Sequence, residues 1–171
     1  GGQGILLLGQ ILAEIGLREG LEVSWLPSYG PEMRSGSAHC HVCLSQERIG
    51  SPLVEHPDVL VAMNEISLRK FAPQMPAGGL ILYNAESLPA AFSAPDVKVM
   101  CVPASEIADK LGATKAANVF MLGALLGLTG GLPVATAVAV LEATVTNAAL
   151  LEIDRRALDA GVAFVGEDVW V

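Results

Sequence analysis

Basic residues are scarce in this sequence: ten Lys and Arg stand against eighteen Asp and Glu, a net charge of −8. They are scattered, with Arg69-Lys70 and Arg155-Arg156 the adjacent basic pairs, so no positive patch is available for a phosphate backbone and a nucleic-acid partner is excluded. Aromatics make up only 5% of the chain. The core must therefore be built from Ala, Val, Leu and Ile, which suits strands buried on both faces. Charge as a whole is sparse, at 16%, against 52% hydrophobic residues, which excludes disorder. Three cysteines and no secretory signal argue against a disulfide framework and point to a reducing cytoplasm. No G-x-S-x-G, H-E-x-x-H or P-loop lysine pattern occurs, so the chain displays no self-contained catalytic apparatus.

One long stretch lacks charge altogether, from residue 116 to residue 141. Its length raises a membrane span. Its content argues otherwise: Asn118, Thr129, Gly130, Gly131, Pro133 and Thr136 interrupt it, and "TGGLP" divides it into two helices each too short to cross. Two helices buried in a core or a subunit interface are expected, near 116–129 and 133–147.

The rest of the chain alternates in type. Helical spacing over residues 5–19 ends at Gly20; "LEVSWLP" and "AHCHVCLSQ" read as strands around a glycine-rich loop at 29–37. "DVLVAMN" has the continuous apolar run of a central parallel strand. "EISLRKFAPQM" reads as a helix stopped by Pro73 and Pro76. "GGLILYN" and "VKVMCVP" are further strands, "ASEIADKLG" a helix, and a last helix spans about 150–161, stopping at Gly161. This alternation predicts a three-layer, Rossmann-like α/β sandwich with a mostly parallel sheet and a helical C-terminal portion, as a single domain over residues 1–171.

Four features invite a chemical reading. Gly1-Gly2-Gln3-Gly4 opens a helix, where free N–H groups suit an anion; a tight turn needing small residues explains the glycines equally. No acidic residue stands at a strand end about 20 residues on to bind a ribose, since Glu22 begins a strand. Cys40-His-Val-Cys43 has redox or metal spacing, but residues three apart on a strand face opposite ways, so the two thiols diverge. His39 and His41 share a strand face with no convergent carboxylate, and His56 lies in a loop; surface histidines are expected. The loop Tyr29–Ser37 differs from these. Gly30-Pro31 and Ser35-Gly36 force turns, and between them Glu32, Met33 and Arg34 are presented from a rigid scaffold. Arg34 suits a carboxylate or phosphate, or it stiffens the loop through a local ion pair.

Four segments in order, "GGQGILLLG" at 1–9, "SYGPEMRSGSAHCHV" at 28–42, "IGSPLVEHPDVLVAMN" at 49–64 and "KAANVFMLGAL" at 115–125, resemble the gamma subunit, or gamma domain, of the 2-oxoacid:ferredoxin oxidoreductases. That family converts pyruvate, 2-oxoisovalerate or 2-oxoglutarate to an acyl-CoA and passes electrons to ferredoxin. The Tyr-Gly-Pro-Glu form of the second segment favours this branch over the indolepyruvate oxidoreductases, which share the G-G-Q-G start. Where the family has Arg-Gly-Gly, this chain has Arg34-Ser35-Gly36. The family's leading strand with its Gly-x-Gly would stand ahead of Gly1, and a native protein without it would lack a central sheet element.

The resemblance implies an accessory subunit that carries no cofactor. Thiamine diphosphate with its magnesium would be held by alpha and beta partner subunits, and the iron–sulfur clusters by cysteine-rich chains such as a ferredoxin-like delta subunit or domain. Coenzyme A would be a co-substrate of the complex, and a gamma–gamma contact is compatible with it. It also implies ligand or subunit contacts, with no catalytic or metal-ligating residue, at Gly2, Gln3, Gly4, Tyr29, Gly30, Pro31, Glu32, Met33, Arg34, Gly36 and Asn64. Two other readings compete: a stand-alone nucleotide-binding enzyme using the glycine turn, and a scaffold that touches no ligand.

Overall fold

A computed structural model describes residues 2–28 and 38–166. The first helix, α1 (Ile5–Arg18), starts at Gly4, whose left-handed backbone serves as N-cap, and ends before Gly20, also left-handed. Two strands follow, β1 (Glu22–Ser28) and β2 (His39–Ser45), paired antiparallel with Ser28 opposite His39. Ten residues separate them, too few for the crossover that a parallel pair requires.

A separate ladder holds the parallel strands. It consists of β3 (Val59–Ala62), β4 (Leu80–Tyr83) and β5 (Lys98–Cys101), in that spatial order. The expected parallel sheet is present, the two ladders are distinct among the described residues, and within the parallel one β4 lies between β3 and β5. A continuous apolar run reports burial of both faces. It does not report how many neighbours a strand has.

Both faces of the parallel ladder are covered, and its side chains alternate between two clusters. Leu82 and Met100 face one cluster, with Leu8, Ile11, Ile15 and Phe120; Ile81, Val99 and Cys101 face another, with Leu68 and Ala72. The first face is covered by α1, α3 (Ala104–Lys110), α4 (Ala117–Thr129), α5 (Val134–Thr144) and α6 (Ala148–Phe164). The second is covered by α2 (Glu65–Phe71), which continues as a 3₁₀ turn through Pro73, and by apolar residues of the 85–97 segment. The result is a three-layer α/β arrangement weighted to one side.

The uncharged stretch does break where expected. Gly130, left-handed, ends α4, and Pro133 precedes α5. Among the described residues, no helix is long and apolar enough to cross a membrane. The last helix departs from expectation: α6 passes through Gly161 to Phe164, and Asn147 caps its start by accepting from the Leu150 N–H. Gly161 is a contact glycine rather than a stop. A Cβ there would lie 2.0 Å from the Phe120 carbonyl oxygen, and one at Gly123 would lie 2.2 Å from that of Leu158. The two glycines let α4 and α6 touch backbone to backbone.

Candidate functional site

The carboxyl ends of the three parallel strands emerge along one edge, and each runs into a short polar side chain. After β3 come Met63 and Asn64, after β4 comes Asn84, and beyond β5 the chain reaches Ser105 in the first turn of α3. In open α/β sheets this edge is where ligands are received.

The opening glycine turn lies against the same edge. Gly2 and Gly4 have φ of 86° and 77°, where a Cβ is disfavoured. At Gly4 space is a second reason: a Cβ would stand 2.6 Å from Asn118 Nδ2. Asn118 is 4% exposed and is the buried polar side chain among the described residues; its Nδ2 donates to the Gly4 carbonyl at 3.2 Å. The helical core thus fixes the turn from below.

Gln3, between the two glycines, reaches the sheet. Its Nε2 donates to the Met63 carbonyl at 2.9 Å, and its Oε1 accepts from Asn64 Nδ2 at 2.5 Å. Asn64 Oδ1 caps α2 by accepting from the Ser67 N–H at 2.9 Å. Asn84 Nδ2 donates to the Met63 carbonyl at 3.2 Å and to Ser105 Oγ at 2.8 Å, while its Oδ1 accepts from the Ser105 N–H at 3.0 Å. Met63 O therefore receives two amide donors, and the turn and three strand ends are tied by one chain of side-chain amides.

This array offers donors and acceptors and nothing that titrates near neutrality. Its amides and the Ser105 hydroxyl can hold a partner or a ligand by hydrogen bonds. Charged groups near Asn84 and Ser105 include Glu86, Glu106 and Lys110. The hydrogen bond to Glu106 raises the Glu86 carboxyl, whereas the ammonium of Lys110 lowers Glu106 and is itself raised.

The structure brings together the expected Gly2, Gln3, Gly4 and Asn64. Tyr29, Gly30, Pro31, Glu32, Met33, Arg34 and Gly36 lie outside the described residues. Their flanks are informative: Ser28 and His39 are register partners, and Ala38 and His39 line an open cleft of about 1110 Å³ that Gln3 and Asn64 also line. Three members of the array, Asn84, Ser105 and Asn118, escaped sequence reasoning. A usable signal existed for Asn84, because an asparagine at the exit of an apolar strand repeats the pattern of Asn64.

The second strand is arranged as its periodicity requires. Cys40 faces α1, with Sγ 3.8 Å from the Ile5 carbonyl oxygen in space left by Gly9, and Val42 and Leu44 follow on that face. Cys43 falls on the other face by alternation, and the three thiols are free. Burial raises the Cys40 thiol, an effect moderated by a hydrogen bond from Trp25; burial also raises Cys101. His39 and His41 are half-buried, contrary to the expected surface placement. The His39 ring centroid lies 4.9 Å from that of Phe71 and 5.7 Å from that of His41. His56 is exposed. No group of three or more metal-capable side chains converges among the described residues.

Comparison with known proteins adds a family. The sequence profile of the family described as "Pyruvate ferredoxin/flavodoxin oxidoreductase" matches residues 1–164. The ketoisovalerate oxidoreductase subunit VorA of Methanothermobacter thermautotrophicus is 44% identical over 171 residues, 99% of this chain and 35% of that protein. The chain thus spans about a third of the length of this curated relative. The 2-oxoglutarate synthase subunit KorC of the same organism is 35% identical over 137 residues, covering 76% of this chain and 72% of that one. The crystal structure of the keto/oxoacid ferredoxin oxidoreductase gamma subunit from Geobacter sulfurreducens superposes with a TM-score of 0.79 at 26% identity, over 96% of this chain and 93% of that one.

Proposed function

The chain belongs to the pyruvate ferredoxin/flavodoxin oxidoreductase family, and from that premise we propose that it is the gamma component of a 2-oxoacid:ferredoxin oxidoreductase. The assembly oxidatively decarboxylates a 2-oxo acid, transfers the acyl group to coenzyme A and passes the electrons to ferredoxin. The observation that carries this reading is the 44% identity to an oxidoreductase subunit over 99% of the chain. The amide array fits such a role, because it can position a neighbour by hydrogen bonds.

In this reading thiamine diphosphate, magnesium and the iron–sulfur clusters reside on alpha, beta and delta partners, in the cytoplasm. The chain acts as one domain, residues 1–171, that packs against the thiamine-binding subunit. Gly2, Gln3, Gly4 and Asn64, with the segment Tyr29–Gly36, contact that partner or coenzyme A; Glu32 and Arg34 supply its charges. The identity gradient, 44% to a ketoisovalerate subunit against 35% to a 2-oxoglutarate subunit, favours a branched-chain 2-oxo acid for the assembly.

Co-expression with the thiamine-binding partners tests the proposal. The chain is expected to co-purify with them, and its omission to abolish acyl-CoA formation; a fully active assembly formed without it overturns the reading. Ranking kcat/KM for 2-oxoisovalerate, pyruvate and 2-oxoglutarate tests the substrate, with 2-oxoisovalerate expected first.

A further inference from the structure

One wall of the cleft is held by a titratable side chain. His41 Nδ1 accepts the Val54 N–H at 3.0 Å. Val54 lies in the 46–58 segment, which has no helix or strand and whose Leu53, Val54, Glu55 and Pro57 line the cleft. Two serine contacts, from the Glu47 N–H to Ser45 Oγ and from the Leu53 N–H to Ser51 Oγ, bend the segment locally. Its C-terminal end is tied down where the Leu80 N–H reaches the Asp58 carbonyl. Among the described residues, the His41 bond is what ties the middle of the segment to the sheet.

The bond works in one protonation state only. A neutral imidazole with its proton on Nε2 has a lone pair at Nδ1, whereas an imidazolium has a second N–H there and can accept nothing. We propose that His41 is a proton-controlled latch on the 46–58 segment, and that its protonation frees this wall of the cleft. The surroundings set the neutral state as the resting one. Burial and then the neighbouring His39 lower the basicity of His41. The titratable groups of the segment that line the cleft are Glu55, His56 and Asp58, all exposed, while Lys70 flanks Phe71 at the end of α2. Cys40 and Cys43 are the other titratable groups on the strand. The latch therefore holds above the ordinary histidine pKa of about 6.5 and is lost as pH falls through the lower value of His41 itself.

Amide exchange of the full chain, followed by NMR across pH 4.5–8, reads the latch directly. The protection factor of Val54 is expected to fall roughly tenfold as His41 titrates, the effect of losing one hydrogen bond. In His41→Asn, whose Oδ1 accepts at the same place without titrating, Val54 should stay protected across the range; in His41→Phe it should be unprotected throughout. The same pH dependence in wild type and His41→Asn overturns the proposal. Should the variants not fold, the wild type still decides. An Nδ1–H tautomer at pH 8, or a Val54 amide shift that ignores the His41 titration, overturns it, whereas an Nε2–H tautomer with a co-titrating Val54 supports it.

Discussion

Two amides in the array illustrate why burial decides what a hydrogen bond contributes. Gln3 is exposed, so Gln3→Ala lets water replace both of its partners. Urea unfolding should show a loss of only about 0.5–1.5 kcal/mol. Asn118 is buried, and Asn118→Ala removes the side-chain donor from the Gly4 carbonyl, leaving it the Leu8 N–H alone, and opens a small cavity. The same measurement should give roughly 2–3 kcal/mol. If Gln3 and Asn64 act together on a partner, Gln3→Ala should weaken assembly far more than it weakens the isolated fold. A second residue-scale expectation concerns Cys101. Its thiol is 4% exposed and raised by burial, so alkylation at pH 8 should be slow in the folded chain and fast in urea.

At the scale of elements, the pairing of α4 with α6 is the most demanding contact in the molecule. Replacing an exposed helical glycine by alanine ordinarily stabilises a helix by up to about 1 kcal/mol. Here the sign reverses, because the added methyl meets carbonyl oxygens of the facing backbone, which cannot rotate away. Gly161→Ala and Gly123→Ala should each lower stability by roughly 1–3 kcal/mol, toward the upper end, as measured by thermal or urea unfolding. The double variant should cost less than the sum, since either methyl alone already separates the helices. An increase in stability would mean that α4 and α6 are not in backbone contact.

On the scale of the whole molecule, the amide array and the cleft share one side, since Gln3 and Asn64 line the cleft together with Ala38 and His39. Arg34→Ala is expected to leave the stability of the isolated chain within about 0.5 kcal/mol while impairing activity or assembly of the complex. An unaffected complex would remove Arg34 from the contact surface. The pH response should divide likewise. Amide contacts are indifferent to pH, so array-dependent assembly should be flat from pH 6 to 8, whereas the cleft wall at Val54 should loosen as pH falls through the lowered pKa of His41.

Much of this was legible in the sequence, for a local reason. Periodicity and glycine or proline punctuation act over a few residues, so the elements, the break at Gly130–Pro133 and the divergence of Cys40 from Cys43 could all be read from neighbours along the chain. The glycine turn was also visible as small residues at a helix start, and Asn64 through the family resemblance, while its role as the cap of α2 was not. Tertiary structure alone decided the rest, because it depends on atoms distant in sequence. Gly161 reads as a stop until Phe120 is seen against it. Asn84, Ser105 and Asn118 look like ordinary polar residues until folding delivers them to Met63, Asn84 and Gly4. His41 likewise reads as a surface histidine, and only the approach of Val54, thirteen residues away, turns it into an acceptor that a single proton can remove.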